Sequence, residues 1–396
     1  MDLIEKYQRK LLEQSQYEYY ETPISEATQQ AFLKMPRHAF IRRCRHWGTK
    51  DWQVISEENL EEHLAILYGD NALPLFGDDD NDVPSTISQP SFVMRMLDML
   101  QLQPGQRVFE LGAGSGWNAA LMGCLVGSAG QVYSLEIIPE VAQMAMDTIE
   151  QWEIKNVQIL QGDGGDGYST GAPYDRAIFT AGSYDLPGCF HEQIKEGGLL
   201  LIVIKSEGGG DNLFLLRKTA DYFESVESMP CAFVQVTGKS KIDSLEPIAV
   251  ETLPEWTELQ SQELSKSPFW WGGKGRGGFI WRTLGFRSFL GITEPLFRTF
   301  KVEKSETRPR EEHYFGLWDQ AQRSLALAKE EGLIAYGSTL AKERLLEKIK
   351  LWVDLGMPSA SNFALQVYPA NVSLTASQNQ WIVTRKESKF LWSYQL

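Results

Sequence analysis

Cysteine is scarce in this 396-residue chain: Cys44, Cys124, Cys189 and Cys231 stand far apart, with no CxxC pair. That spacing argues against a disulfide framework and a structural zinc site. The five histidines (His38, His46, His63, His191, His313) include no HExxH pattern, so no metal site is expected. Long apolar runs are missing too. The longest, Gly198 to Ile204, is far too short to cross a bilayer. The first residues, Met1-Asp2-Leu3-Ile4-Glu5-Lys6, lack a basic segment followed by an apolar one. The expected location is therefore cytoplasmic. Cations are in deficit, with 38 Lys+Arg against 52 Asp+Glu, a net charge of −14 and a pI near 5.0. Phosphate binding needs clustered Lys and Arg, so nucleic acid and an anionic membrane are not expected partners.

What is present is ordinary globular material: 43% hydrophobic, 11% aromatic and 23% charged residues. The length suits two or three domains. Charge and tryptophan are unevenly spread. Residues 241–396 hold 20 Lys+Arg against 18 Asp+Glu, and the preceding 240 hold 18 against 34. Eight of the twelve tryptophans lie in the later part. A boundary near 238–260 follows, giving an N-terminal helical segment (1–65), a core (66–240) and a C-terminal accessory domain (241–396).

Residues 1–65 read mostly as helix, with an amphipathic run from Glu26 to Leu33 ended by Met35-Pro36. Residues 70–88, with Pro74, Gly77, Pro84 and the acidic run Asp78 to Asp82, read as loop. After a helix from Ser91 to Leu100, strands and helices alternate. Strands are expected at 107–111, 131–135, 157–160, 176–180 and 199–204, and helices at 118–126, 139–152 and 187–194. Such alternation implies a parallel sheet covered on both faces. Strands near 213–217 and 231–236 would close an antiparallel edge. In the C-terminal part, 316–331 and 338–354 read as helices, the second presenting Leu345, Ile349, Trp352 and Val353 on one face. Residues 363–368 and 380–395 read as strands, with a turn at Glu387-Ser388.

The strongest chemical signal is Glu110-Leu111-Gly112-Ala113-Gly114-Ser115-Gly116, directly after the first strand of the sheet. Its glycines permit positive φ and close backbone approach. The pattern is GxGxG, not the GxGxxG of dinucleotide folds, and an acid just before the loop disfavours a diphosphate. It suits a ligand with an amino group and a sulfonium, as in S-adenosylmethionine. Glu136 ends the second strand, where a carboxylate can accept from both ribose hydroxyls. Asp163, in Gly162-Asp163-Gly164 after the third strand, can accept from an adenine amine. All three lie at carboxyl ends of adjacent strands, where open α/β sheets bind ligands.

A specific resemblance rests on further segments. Thr86-Ile87-Ser88-Gln89-Pro90, Met35-Pro36-Arg37-His38-Ala39-Phe40, Tyr68, Asp70 and Leu73-Pro74-Leu75 join the glycine loop, Val132 to Glu136, Gly162 to Gly164, Ala172-Pro173-Tyr174-Asp175 and Gln193 to Gly198. In this order, over roughly residues 25–238, they resemble the protein-L-isoaspartate O-methyltransferases. The resemblance implies an α/β fold: the Rossmann-like sheet of class I S-adenosylmethionine-dependent methyltransferases, here followed by a smaller C-terminal α+β domain. It implies methyl transfer to the free α-carboxylate of an isoaspartyl residue in a protein or peptide. By the same resemblance Ser88, with Thr86, is the catalytic pair. Ser85, Glu110, Gly112, Gly114, Gly116, Glu136, Ile137, Asp163 and Gly164 bind the cofactor. From its place before a helix, Ser88 also reads as an N-cap.

Three stretches depart from the family pattern. The link from Leu75 to Thr86 is longer and acidic. The family's V-x-F-V-P-L is replaced by Cys231-Ala232-Phe233-Val234-Gln235-Val236, without proline. Lys205 follows Val203-Ile204, where the family tends to proline and glycine. All three fall on the expected peptide side. A dedicated client, methylated on aspartate and carried on to an aspartimide, is thus a second reading, and an inactive cofactor-binding scaffold a third. Trp270, Trp271 and Arg276 of the C-terminal part read either as a peptide-facing surface or as core.

Overall fold

A computed structural model describes residues 2–19, 21–77, 85–242, 245–267, 279–302, 312–330 and 332–394. The acidic run at 78–82 and the Trp270, Trp271, Arg276 stretch lie outside the described residues. The chain packs as two units. One comprises Met1–Val203, Leu213–Glu227 and Phe233–Lys241; the other comprises Ile204–Asn212, Ser228–Ala232 and Ile242–Leu396.

The first unit is built on strands β1 (Arg107–Leu111), β2 (Gln131–Glu136), β3 (Val157–Gln161), β4 (Tyr174–Phe179), β5 (Ile194–Ile204), β6 (Asn212–Lys218) and β7 (Phe223–Pro230). Their order is β7-β6-β5-β4-β1-β2-β3. Strands β3, β2, β1, β4 and β5 are parallel, each to the next. The chain moves outward from β1 to β3, then returns to β4 on the other side of β1. Right-handed crossovers in two directions place helices on both faces and open a crevice at the β1/β4 switch point. Helices α1 (Pro90–Leu100), α2 (Trp117–Val126) and α3 (Pro139–Gln151) supply the cover. Continuous apolar strands suit this burial: Val108 and Phe109 of β1, and Leu200, Leu201, Ile202 and Val203 of β5, are fully buried.

Several expectations fail here for identifiable reasons. Residues 41–59 carry two short paired strands, Arg43–Cys44 with Gln53–Val54, not helix. Leu73–Phe76 pairs antiparallel with Ser85–Ile87, so the expected loop is partly a hairpin. Pro74 is tolerated because the ladder has only two strands, leaving an edge that needs no N–H. The helix at 187–194 shrinks to one turn, Phe190–Gln193, and β5 starts at Ile194. The strand that follows β6 is Phe223–Pro230, not 231–236. Its Glu and Ser residues mask a strand whose Phe223 and Met229 are buried. The apolar 231–236 segment instead runs beside Gly182, in a single parallel bridge at Gln235.

In the second unit, Ser324–Lys329 pairs with both Glu312–Asp319 and Gly332–Gly337, so the helix expected at 316–331 is a hairpin. Leu325 and Leu327 join a core with Phe300 and Tyr336, while Ala326 and Ala328 are buried on the opposite face. A strand buried on both faces loses its alternation and looks like buried helix in sequence. Gly316 is required in this ladder, since a Cβ there would stand 1.8 Å from the Ala326 carbonyl oxygen. The helix Leu340–Asp354 buries Ala341, Leu345 and Ile349; Val353, expected on that face, is 53% exposed. Ser388–Ser393 pairs antiparallel with Gln380–Thr384 across the 385–387 turn on one side and with Ala364–Pro369 on the other, so the last strand is the central one of the three.

Candidate active site

At the carboxyl ends of β1, β2, β3 and β4 lies a cleft with about 880 Å3 free of protein atoms, open mouth included. On one side stand Glu110, Gly112, Gly114, Glu136, Ile137, Asp163 and Gly164. Ser85, Thr86 and Ser88 stand on the rim, with Val234, Gln235, Val236 and Thr237 closing the lining.

The glycine loop adopts its turn through positive φ at Gly112 (91°) and Gly114 (52°). Gly112 is held by a bond from its N–H to the Leu135 carbonyl, 2.8 Å. A side chain there would meet Thr180 Oγ1 at 2.5 Å. A Cβ on Gly114 would stand 3.5 Å from the Thr86 carbonyl, so the loop and the Ser85–Ile87 strand approach closely.

Each acid is fastened by neighbours. Glu110 is fully buried and accepts from Ser134 Oγ (2.5 Å) and Asn118 Nδ2 (2.6 Å). Burial without a cation pushes its carboxyl up to about 7, and nearby Glu136 adds to this. Glu136 accepts from the N–H of Gly114 (2.9 Å) and of Ile138 (3.1 Å). Burial raises its pKa, and those backbone donors counter the rise. Asp163 accepts from Gly165 N–H (2.8 Å) and Lys239 N–H (2.8 Å), tying the 237–239 segment to the end of β3. Asn118 Oδ1 is buried with no hydrogen-bond partner. Two buried carboxylates and an unpaired acceptor beside one cleft fit a cationic ligand with amino and hydroxyl groups.

The rim is organised by Arg37. Its guanidinium is fully buried and donates to the carbonyls of Leu67 (2.7 Å), Asn71 (2.8 Å) and Ser88 (3.1 Å), with longer bonds to Gly69 and Ile87. One side chain thus fixes the 67–71 and 87–88 backbones together. Ser88 does not cap α1, contrary to expectation. Gln89 is the N-cap, without a side-chain cap bond. Asp70 serves that end from outside, accepting from Ser91 N–H (2.9 Å), Ser91 Oγ (2.6 Å) and Gln89 Nε2 (2.9 Å). The Ser88 and Thr86 hydroxyls make no hydrogen bond among the described residues.

Of the residues expected from sequence, only Gly116 stays off the cleft wall. At φ 81° it begins α2, and a Cβ there would touch Ala145 of α3 at 3.4 Å, so it serves helix packing. Sequence reasoning missed Asn118, Thr180 and the 234–237 segment. Asn118 sits eight positions beyond Glu110, on the first turn of the helix that follows the loop, and that placement is the one local signal for it. Among the described residues no cluster of His, Cys, Asp or Glu could hold a metal ion. No described helix is long and apolar enough to cross a membrane.

A parallel sheet with a GxGxG loop at its switch point, and acids ending the next two strands, defines a class I S-adenosylmethionine-dependent methyltransferase. Residues 8–241 match the family model for protein-L-isoaspartate(D-aspartate) O-methyltransferase, and the chain belongs to that family of carboxyl methyltransferases. A protein-L-isoaspartate O-methyltransferase of Ignicoccus hospitalis is 34% identical over 205 residues, 52% of this chain and 86% of the relative. One of the same name from Methanothrix thermoacetophila is 34% identical over 216 residues, 54% of this chain and 90% of that protein. A solved structure titled protein-L-isoaspartate O-methyltransferase shares the fold with a TM-score of 0.55 at 22% identity, over 95% of this chain and all of that one. That likeness in fold runs well past residue 241, where the family match ends.

Proposed function

We propose that the chain methylates the free α-carboxylate of L-isoaspartyl residues in damaged cytoplasmic proteins or peptides, with S-adenosylmethionine as donor, as a step in protein repair. The observation that carries the reading is the pair of unpartnered hydroxyls, Thr86 and Ser88, on the rim of a cleft whose other wall holds Glu110, Glu136 and Asp163. When bound, S-adenosylmethionine supplies an electrophilic methyl group. Glu136 has a lone pair left for the ribose, since a carboxylate accepts about four bonds and the backbone N–H groups of Gly114, Ile137 and Ile138 supply three. Asp163 and Ile137 form the wall nearest the adenine end. Glu110 and the free Asn118 Oδ1 set a negative potential suited to the ammonium and sulfonium.

On the acceptor side no general base is needed. A carboxylate of pKa about 4 is already ionised at pH 7. Thr86 and Ser88 donate to it and orient one oxygen toward the methyl. Arg37 holds the backbone beneath Ser88, so the hydroxyl is placed before substrate arrives. Catalysis is then positioning of an in-line displacement in a cleft that excludes water.

The test is methyl transfer to matched isoaspartyl and aspartyl peptides. Transfer to the isoaspartyl peptide alone supports repair. Transfer to neither, with intact cofactor binding, supports the inactive scaffold. A second reading, a dedicated aspartyl client, is favoured by one observation. Residues 204–212, which include the departure at Lys205, and 228–232, which overlap the start of the one at 231–236, pack into the unit that contains the C-terminal extension. We assign that extension a role in client choice, without chemistry.

A further inference from the structure

Gln235 is the position at which the chain replaces the proline of the resembling family's segment. Its Nε2 is buried in the cleft lining and has no hydrogen-bond partner. A buried amide donor left unpaired is costly, and one that lines a cleft has its partner supplied by what the cleft binds. The backbone around it is fixed: Gly182 donates to the Val234 carbonyl (2.8 Å), and Val236 donates to the Gly182 carbonyl (2.8 Å). Gln235 thus lines, from a pinned segment, the same cleft that Thr86 and Ser88 line. Each of the three offers a hydrogen and none has a receiver among the described residues. A carboxylate is the acceptor-only group that three converging donors suit.

We infer that Gln235 is a specificity-determining residue whose carboxamide N–H donates to the methyl-accepting carboxylate of the substrate, opposite Thr86 and Ser88. The inference rests on the reading given under Proposed function. With Ser88 and Thr86 holding one oxygen toward the methyl, Gln235 receives the other and fixes the carboxylate plane.

The experiment compares the wild-type chain with Gln235→Leu and Gln235→Glu, using an isoaspartyl peptide as probe. Gln235→Leu is expected to raise the peptide KM about tenfold, the worth of one such bond. It should leave the Kd for S-adenosylmethionine within twofold. It should also raise the Tm of the peptide-free protein, because a buried unpaired donor is removed; a merely structural glutamine would lower it. Gln235→Glu should raise the KM further and recover partly at low pH, as like charges face each other. An unchanged peptide KM in Gln235→Leu overturns the inference, and so does a weakened cofactor Kd, which would assign Gln235 to the donor side. If the wild type is inactive on the isoaspartyl peptide, the functional reading falls and takes the inference with it.

Discussion

The two sides of the cleft are built on opposite principles. On the side proposed for the donor, Glu110, Glu136 and Asp163 are each held by at least two hydrogen bonds from the protein. On the side proposed for the acceptor, Thr86, Ser88 and the Gln235 amide have none among the described residues, although the backbone beneath Ser88 is clamped by Arg37. The donor is one fixed molecule, so its wall can be finished in advance, with Glu110 kept in place by side-chain donors and Glu136 and Asp163 by main-chain ones. The acceptor is a residue within variable peptides. Its wall fixes where the donors start and leaves their last bond open, which avoids a competing internal partner that substrate would have to displace.

The sharpest break is Arg37→Ala. Five carbonyls lose their donor inside a buried site, and a loss of about 3–5 kcal/mol is expected in chemical unfolding. Equal stability would mean that the rim is held by packing alone.

Next in size is Ser88→Ala, expected to lower kcat about 10–1000-fold with little change in cofactor Kd or Tm. A fall in Tm with an intact rate would return Ser88 to a structural role. The absence of a cap bond argues against that outcome.

Glu136→Ala should act on the other wall alone, weakening S-adenosylmethionine about 10–100-fold in calorimetry. Unchanged affinity would remove Glu136 from the donor side.

The smallest effect is one of pH. With the Glu110 carboxyl at about 7 and a cationic ligand favouring the ionised form, binding releases a proton below pH 7. Cofactor affinity should fall by up to about tenfold per pH unit as pH drops below 7, and level off above it. Glu110→Gln should flatten the profile. For the ligand-free protein the sign reverses. The folded state keeps a proton that the unfolded chain loses between its ordinary 4.5 and 7, so this group's contribution to stability declines as pH rises through that window.

The two units also differ in how their parts are arranged along the chain. The second is not a contiguous tail, because residues 204–212 and 228–232 belong to it. Lys205 and Asp211 pair there at 2.5 Å, with little exposure. A cut near residue 240 would leave those two segments without their partners. A truncated chain is therefore expected to lose stability rather than to separate cleanly.

Sequence alone carried the parallel sheet, the glycine loop, the acids at the ends of β2 and β3, and the TIS segment. Each is local: an apolar run, a run of positive-φ glycines, a fixed offset from a strand end. Ten of the eleven residues expected at the site do line one cleft; Gly116, the exception, is spent on helix packing. Only the tertiary structure decided the rest. It showed that 316–331 is a hairpin, because two-sided burial erases the period that separates strand from helix. It put 234–236 at the cleft instead of the sheet edge, because Gly182, some fifty residues away, offered the pairing. It gave the end of α1 to Asp70, left Ser88 free and made Arg37 the clamp beneath it. These outcomes turn on which polar groups meet across long sequence distances, and no window of the sequence holds both partners.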